Sequence, residues 1–122
     1  MKLDKLVVGV VGLGMGALHL KGAIDYGAEI GMICDVDKAR LSKVGNENNI
    51  PKERQTTDFY DVVNNKNINA VIIATPDAQH RCQVEECLKA GKHVLCEKPL
   101  ALTREDISAM VAAEREHHEF QQ

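Results

Sequence analysis

The sequence has few of the residues that build an aromatic core. Its 122 residues include no tryptophan, two tyrosines, two phenylalanines and three prolines. The apolar fraction is nevertheless 44%, which is ordinary for a folded protein and high for a disordered one. The core must therefore be mainly aliphatic, and we expect residues 1–122 to form a single domain.

Features of nucleic-acid-binding, membrane and secreted proteins are also missing. The net charge is -3, so there is no excess of positive charge for a nucleic-acid partner. No run approaches the roughly 18 apolar residues that span a membrane. Residues 1–5 are charged and show no signal-peptide pattern. We therefore expect a cytoplasmic protein without a nucleic-acid or membrane partner.

The four cysteines are too scattered to indicate a metal site. Cys34, Cys82, Cys87 and Cys96 show no CxxC spacing, and Cys34 and Cys96 lie in apolar segments typical of strands. We expect reduced, buried thiols rather than disulfides or metal ligands.

Short apolar runs alternate with longer segments of helical character, which indicates βαβ units. This pattern predicts an α/β fold with a doubly wound parallel sheet, strand order 3-2-1-4-5, and an incomplete sixth strand at 120–122. The predicted strands are 6–11, 29–34, 54–56, 70–74 and 93–96. The predicted helices are 15–26, 38–48, 58–64, 77–90 and 103–117, with Gly91 ending the fourth.

A glycine-rich segment, Gly12-Leu13-Gly14-Met15-Gly16-Ala17, lies between the first strand and the first helix. Its GxGxxA pattern is typical of dinucleotide-binding loops. Gly12 permits a tight turn, Gly14 lets the backbone approach a pyrophosphate, and Ala17 lets the helix pack close to the strand. The amides at the start of the helix favour the phosphate charge. Taken alone, the pattern also fits a merely tight strand–helix turn.

An acidic residue follows the second strand at the spacing expected for ribose binding. Asp35 comes 23 residues after Gly12, and a carboxylate about 20 residues on accepts hydrogen bonds from the adenosine ribose. A helix N-cap or a solvated turn residue is the alternative. Val36 is not the cation that a 2'-phosphate needs, so NAD is favoured over NADP, although Lys38 and Arg40 lie nearby.

Two further polar segments follow the fourth and fifth predicted strands. They are Thr75-Pro76-Asp77 with His80, and Glu97-Lys98-Pro99. Ligands of open α/β sheets bind beyond the carboxyl ends of the strands, so these segments should converge on one edge. Lys98 there could stabilise charge on a substrate oxygen during hydride transfer. A solvated loop lysine is the alternative.

Four segments resemble the Gfo/Idh/MocA oxidoreductases, which include glucose-fructose oxidoreductases and inositol dehydrogenases. They are VVGVVGLGMGALHL, CDVDKAR, AVIIATPDAQH and AGKHVLCEKPLALT. The last is the most specific, because dinucleotide-binding folds in general do not share its Glu-Lys-Pro arrangement. The resemblance covers almost the whole chain and implies a Rossmann fold that binds NAD.

The resemblance also implies roles for individual residues. Lys98 matches the family's active-site lysine, which contacts the reacting oxygen, and Glu97 and Pro99 shape its loop. Thr75 and Pro76 match residues that line the cofactor near its nicotinamide end, and His80, also expected to bind the cofactor, matches a histidine at the start of the following helix. Asp77 departs from the more usual asparagine, and Gly16 departs from the family's usual glycine pattern.

Family members continue into a second domain that binds substrate, supplies further catalytic groups and usually builds a homo-oligomer. We expect residues 1–122 to lie before that domain and to supply no general base. We expect a fragment that is inactive alone, from an enzyme that transfers a hydride between NAD and a sugar, polyol or related hydroxy compound. The alternatives are a member that uses transient oxidation within an elimination, and a stand-alone NAD-binding or redox-sensing module.

Overall fold

The computed structural model describes residues 6–75 and 77–96. The predicted fifth helix and sixth strand lie outside these residues. The strands are β1 (Val7–Val11), β2 (Glu29–Cys34), β3 (Gln55–Thr56), β4 (Ala70–Ile73) and β5 (His93–Cys96). The helices are α1 (Gly16–Tyr26), α2 (Lys38–Glu47), α3 (Phe59–Val63) and α4 (Asp77–Lys89), and a 3-10 turn covers Lys52–Arg54.

The strands form one parallel sheet in the order β3-β2-β1-β4-β5, which confirms the predicted order. β1 is central, where Val10 pairs with Ile33 of β2 and with Ile72 of β4. Every residue of β1 is buried, as expected for a parallel strand that helices cover on both faces.

Two aliphatic cores lie on opposite faces of the sheet. α1 and α2 cover one face through side chains such as Leu20 and Leu41. α3 and α4 cover the other through Val62 and Val84. Among the described residues, every buried hydrophobic core position is valine, leucine, isoleucine or cysteine. The predicted aliphatic core is therefore confirmed.

Local hydrogen bonds account for the small shifts in the element boundaries. Asp58 caps α3 by accepting a hydrogen bond from the Tyr60 amide at 2.9 Å, so the predicted helix 58–64 begins at Phe59. Gly91 follows α4 with a φ of 78°, the left-handed conformation expected after a helix. None of the helices in the described part of the chain is long and apolar enough to span a membrane.

The cysteine prediction is correct for two residues and wrong for a third. Cys34 and Cys87 are buried, whereas Cys82 is exposed. Cys82 lies two residues before the buried Val84 and therefore on the opposite side of α4, since successive helix residues are about 100° apart. Cys82 is exposed because it lies on the side of α4 that faces away from the core.

A buried lysine side chain links two loops at the amino-terminal edge of the sheet. Lys92, directly before β5, is only 4% exposed. Its Nζ donates hydrogen bonds to the carbonyl oxygens of Asn65 at 2.8 Å and Ile68 at 2.7 Å. Burial lowers the pKa of Lys92. The side chain thus ties β5 to the connection between α3 and β4.

We expect Lys92→Met to lower the free energy of unfolding by about 1–3 kcal/mol, because the buried Ile68 carbonyl loses its donor. Urea denaturation of the two proteins measures the difference. Lys89→Met is the matched control, since the Lys89 side chain is 59% exposed and its contact with Glu86 is 3.9 Å long. That change should cost less than about 0.5 kcal/mol. Equal effects of the two substitutions would contradict a structural role for Lys92.

Candidate functional site at the carboxyl edge of the sheet

Gly12 makes the tightest contact at the carboxyl edge of the sheet. Its φ is 88°, a conformation that favours glycine. A Cβ on Gly12 would lie 2.7 Å from the carbonyl carbon and oxygen of Ala74, in the loop after β4. The Gly12 amide also donates to the Cys34 carbonyl at 2.8 Å. The loops that follow β1 and β4 therefore meet at a point where only glycine fits.

The next part of the glycine loop is open to solvent. Gly14 and Met15 are exposed, and among the described residues a Cβ on Gly14 would meet only the Arg40 Nη1 atom, at 3.8 Å. α1 begins directly afterwards, and the Met15 side chain does not cap it. An exposed glycine beside an uncapped helix start is an arrangement that accepts phosphate groups.

Close packing between α1 and the sheet involves Gly16 rather than Ala17 alone. A Cβ on Gly16 would lie 3.3 Å from Ala74 and from Val10. Ala17 is partly buried and packs against the core on the α1 face. The sequence pattern assigned the close approach to Ala17, and the structure adds Gly16, the first residue of the helix, to it.

Asp35 is buried at the end of β2 and is held by two backbone amides. The residue is 6% exposed. Its Oδ2 accepts a hydrogen bond from the Leu13 amide at 2.8 Å, and its Oδ1 accepts one from the Asp37 amide at 2.8 Å. The alternative roles considered for Asp35 are wrong, because it is not solvated and because Asp37 is the N-cap of α2. The carboxylate ties the glycine loop to the loop after β2.

A cation lies beside this carboxylate. The Arg40 Nη1 atom is 3.4 Å from Asp35 Oδ2, and the Arg40 side chain is 49% exposed. The sequence placed Arg40 only in the neighbourhood of Asp35. The structure brings the guanidinium into contact with the carboxylate and close to Gly14.

Cys34, the last residue of β2, is buried directly before Asp35. Burial, and to a smaller extent the nearby carboxylates of Asp35, Asp58 and Asp61, raises the pKa of the Cys34 thiol to about 12. The thiol therefore stays protonated at neutral pH and adds no charge to the site.

Thr75 follows β4 on the other side of the glycine loop. Its amide nitrogen would lie 2.9 Å from a Cβ on Gly12. Its hydroxyl donates a short hydrogen bond to the Oε1 atom of Gln83 on α4. Sequence reasoning missed Gln83, because a glutamine on a helix carries no signal of such a contact.

The described site residues follow β1, β2 and β4 and share the carboxyl edge of the sheet, where open α/β sheets bind ligands. His80 belongs to α4, which starts from this edge. Pro76, Glu97, Lys98 and Pro99 lie outside the described residues. In the part of the chain that the structure describes, no group of three His, Cys, Asp or Glu residues could hold a metal ion.

An apolar cavity of about 450 Å³ lies between α1 and the face of β1, β4 and β5. Exposed Leu18, Tyr26 and Leu95 border it. None of the predicted site residues that the structure describes lines this cavity.

Comparison with known proteins identifies the family. The model of the oxidoreductase family with an NAD-binding Rossmann fold, Gfo/Idh/MocA, matches residues 6–121. The chain therefore belongs to this family, which confirms the resemblance identified from the sequence.

Curated relatives include inositol dehydrogenases. The chain is 37% identical over 110 residues to inositol 2-dehydrogenase 2 of Paenarthrobacter aurescens, covering 88% of this chain and 32% of that protein. It is 39% identical over 111 residues to inositol 2-dehydrogenase 1 of Saccharopolyspora erythraea, covering 88% of this chain and 32% of that protein. The chain thus spans about a third of the length of these relatives.

Solved structures agree on the fold. A probable dehydrogenase from Thermotoga maritima matches with a TM-score of 0.86 and 30% identity, over 93% of this chain and 34% of that one. The scyllo-inositol dehydrogenase from Lactobacillus casei with bound NAD(H) and scyllo-inositol matches with a TM-score of 0.84 and 32% identity. That match covers 95% of this chain and 34% of the other.

The two loop glycines should respond differently to substitution. Gly14→Val should leave the fold intact and abolish NAD binding, because its side chain would fill the exposed space over the loop. Gly12→Val should destabilise the protein by at least about 1–3 kcal/mol, because of its positive φ and its contact with Ala74. Thermal denaturation and calorimetric titration with NAD measure the two effects. Unaltered NAD affinity in Gly14→Val would contradict the proposed phosphate site.

Proposed function

We propose that this chain is the NAD-binding portion of a longer dehydrogenase that transfers a hydride between NAD and a sugar, polyol or related hydroxy compound. The observation that carries the proposal is the exposed glycine loop, tied by Leu13 to the buried carboxylate of Asp35. Relatives named inositol 2-dehydrogenase and the Lactobacillus casei structure with NAD(H) and scyllo-inositol support the substrate class.

Each part of a dinucleotide can be assigned to a loop at the carboxyl edge of the sheet. The pyrophosphate would lie against Gly14 and the start of α1, whose dipole favours negative charge. The adenosine ribose would lie against Asp35. Thr75 and Pro76 would line the nicotinamide end, and His80 would contact the cofactor from the start of α4. Bound NAD would supply the hydride acceptor.

Lys98 is the proposed catalytic residue of this portion. It follows β5 by two residues, as Thr75 follows β4, and Glu97 and Pro99 would shape its loop. Its ammonium would donate a hydrogen bond to the reacting substrate oxygen and stabilise charge that develops there. The group that takes the hydroxyl proton would come from the substrate domain. Assembly as a homo-oligomer and a cytoplasmic location stay predictions from the sequence.

We expect the chain to bind NAD more tightly than NADP, because the Asp35 carboxylate accepts ribose hydroxyls and repels a 2'-phosphate. Calorimetric titration of the purified chain with each dinucleotide measures both dissociation constants. Equal or reversed affinities would remove Asp35 from this role.

The reaction is tested with the longer protein, NAD and a panel of polyols that includes scyllo-inositol. Net NADH production supports the proposal. Turnover without net NADH would indicate transient oxidation within another reaction, and NAD binding without turnover would indicate a non-enzymatic module.

In the same protein, Lys98→Met should lower turnover by about 10² to 10³-fold while NAD affinity changes little. Steady-state rates and NAD titrations of the variant separate the two effects. A rate close to that of the unaltered protein would contradict the catalytic assignment. A collapse of NAD binding would instead make Lys98 a cofactor ligand.

A further inference from the structure

Gln83 on α4 contacts a residue of the proposed cofactor site. It is half-buried and lies between the exposed Cys82 and the buried Val84. Its Oε1 atom accepts a short hydrogen bond from the hydroxyl of Thr75, in the loop after β4. This contact joins α4 to the loop that Gly12 approaches.

Thr75 lies on the side of the glycine loop opposite to Asp35. In the sheet, β1 lies between β2, which ends directly before Asp35, and β4, which ends two residues before Thr75. A dinucleotide bound across this switch point places one nucleoside on each side of the glycine loop. With the adenosine assigned to Asp35, the nicotinamide half falls on the Thr75 side.

The hydrogen bond to Gln83 determines what the Thr75 hydroxyl can offer to a ligand. A hydroxyl has one hydrogen to donate and two lone pairs that accept. The hydrogen points to Gln83 Oε1, so only the lone pairs are available to a second partner. That partner must therefore be a hydrogen-bond donor.

We propose that Gln83 is a positioning residue of the cofactor site, which turns the Thr75 hydroxyl so that it accepts a hydrogen bond from the nicotinamide half of NAD. The inference rests on the proposed function and deepens it. The donor on the ligand is the carboxamide NH2 group or a ribose hydroxyl, whereas the carboxamide oxygen cannot take this position. Gln83 acts through Thr75 and needs no contact of its own with the cofactor.

The test is calorimetric titration of the 122-residue chain and its Gln83→Leu and Gln83→Glu variants with NAD and 5'-ADP. Gln83→Leu should weaken NAD binding by about three- to tenfold, as expected for losing one hydrogen bond. The affinity for 5'-ADP should stay unchanged, because 5'-ADP has no nicotinamide half. Gln83→Glu keeps an acceptor oxygen and should bind NAD within about twofold of the native chain.

A double-mutant cycle determines whether Gln83 acts through Thr75. Thr75→Val removes the hydroxyl with little change in shape. In that background, Gln83→Leu should weaken NAD binding no further, because the group that Gln83 orients is already gone.

An analogue identifies the donor group on the ligand. Acetylpyridine adenine dinucleotide carries a methyl group in place of the carboxamide NH2 and cannot donate from this position. If its affinity is insensitive to Gln83→Leu, the donor is the carboxamide. If Gln83→Leu weakens it as much as NAD, the donor is a ribose hydroxyl.

Gln79→Leu is the matched control, because it makes the same change one turn earlier on α4. Gln79 is exposed, and its Oε1 atom is 3.5 Å from Gln83 Nε2, at the limit for a hydrogen bond. This variant should bind NAD within about twofold of the native chain. Circular dichroism of each variant verifies that the fold is retained.

Each contrary outcome has a definite meaning. Equal weakening of NAD and 5'-ADP by Gln83→Leu would overturn the inference, because Gln83 would then support the whole site structurally. Unchanged NAD affinity, an equal effect of Gln79→Leu, no rescue by Gln83→Glu, or additive effects with Thr75→Val would also overturn it while leaving NAD binding established. A native chain that binds neither NAD nor 5'-ADP would overturn the proposed function, and the inference with it.

Discussion

The contact between Gly12 and Ala74 is the constraint on which the carboxyl edge of the sheet depends. It brings the loop after β1 against the loop after β4, at a distance that leaves no room for a Cβ. Because the strand order changes direction between β1 and β4, this is also the switch point at which open α/β sheets bind ligands. The position of α1, and with it the proposed phosphate site, follows from this approach.

Asp35, at the end of β2, holds the glycine loop from the other side. A buried carboxylate is costly unless it is hydrogen-bonded, and the Leu13 and Asp37 amides meet that requirement. The interaction holds the glycine loop against the loop after β2, and the Arg40 guanidinium lies beside the same carboxylate. One side chain thus holds the loop and presents charge to the proposed ribose position.

The proposed binding site and the hydrogen bonds of Lys92 lie at opposite edges of the sheet. Lys92 satisfies two carbonyl oxygens at the amino-terminal edge and fixes the start of β5. The carboxyl edge instead exposes Gly14 and the start of α1. Lys92→Met can therefore change stability with little effect on the carboxyl edge. The cavity beside α1 belongs to neither group of residues.

The sequence by itself determined the order of helices and strands, the parallel sheet and the glycine loop, because local hydrophobic periodicity and glycine spacing specify them. Crossover handedness then predicted the strand order. Tertiary structure alone decided that Leu13 holds Asp35 across 22 positions, that Lys92 reaches Asn65 across 27, and that Cys82 is exposed. It also brought the Arg40 guanidinium to 3.4 Å from the Asp35 carboxylate. Such pairings depend on which loops and faces meet once the sheet has formed, and local sequence patterns do not encode that.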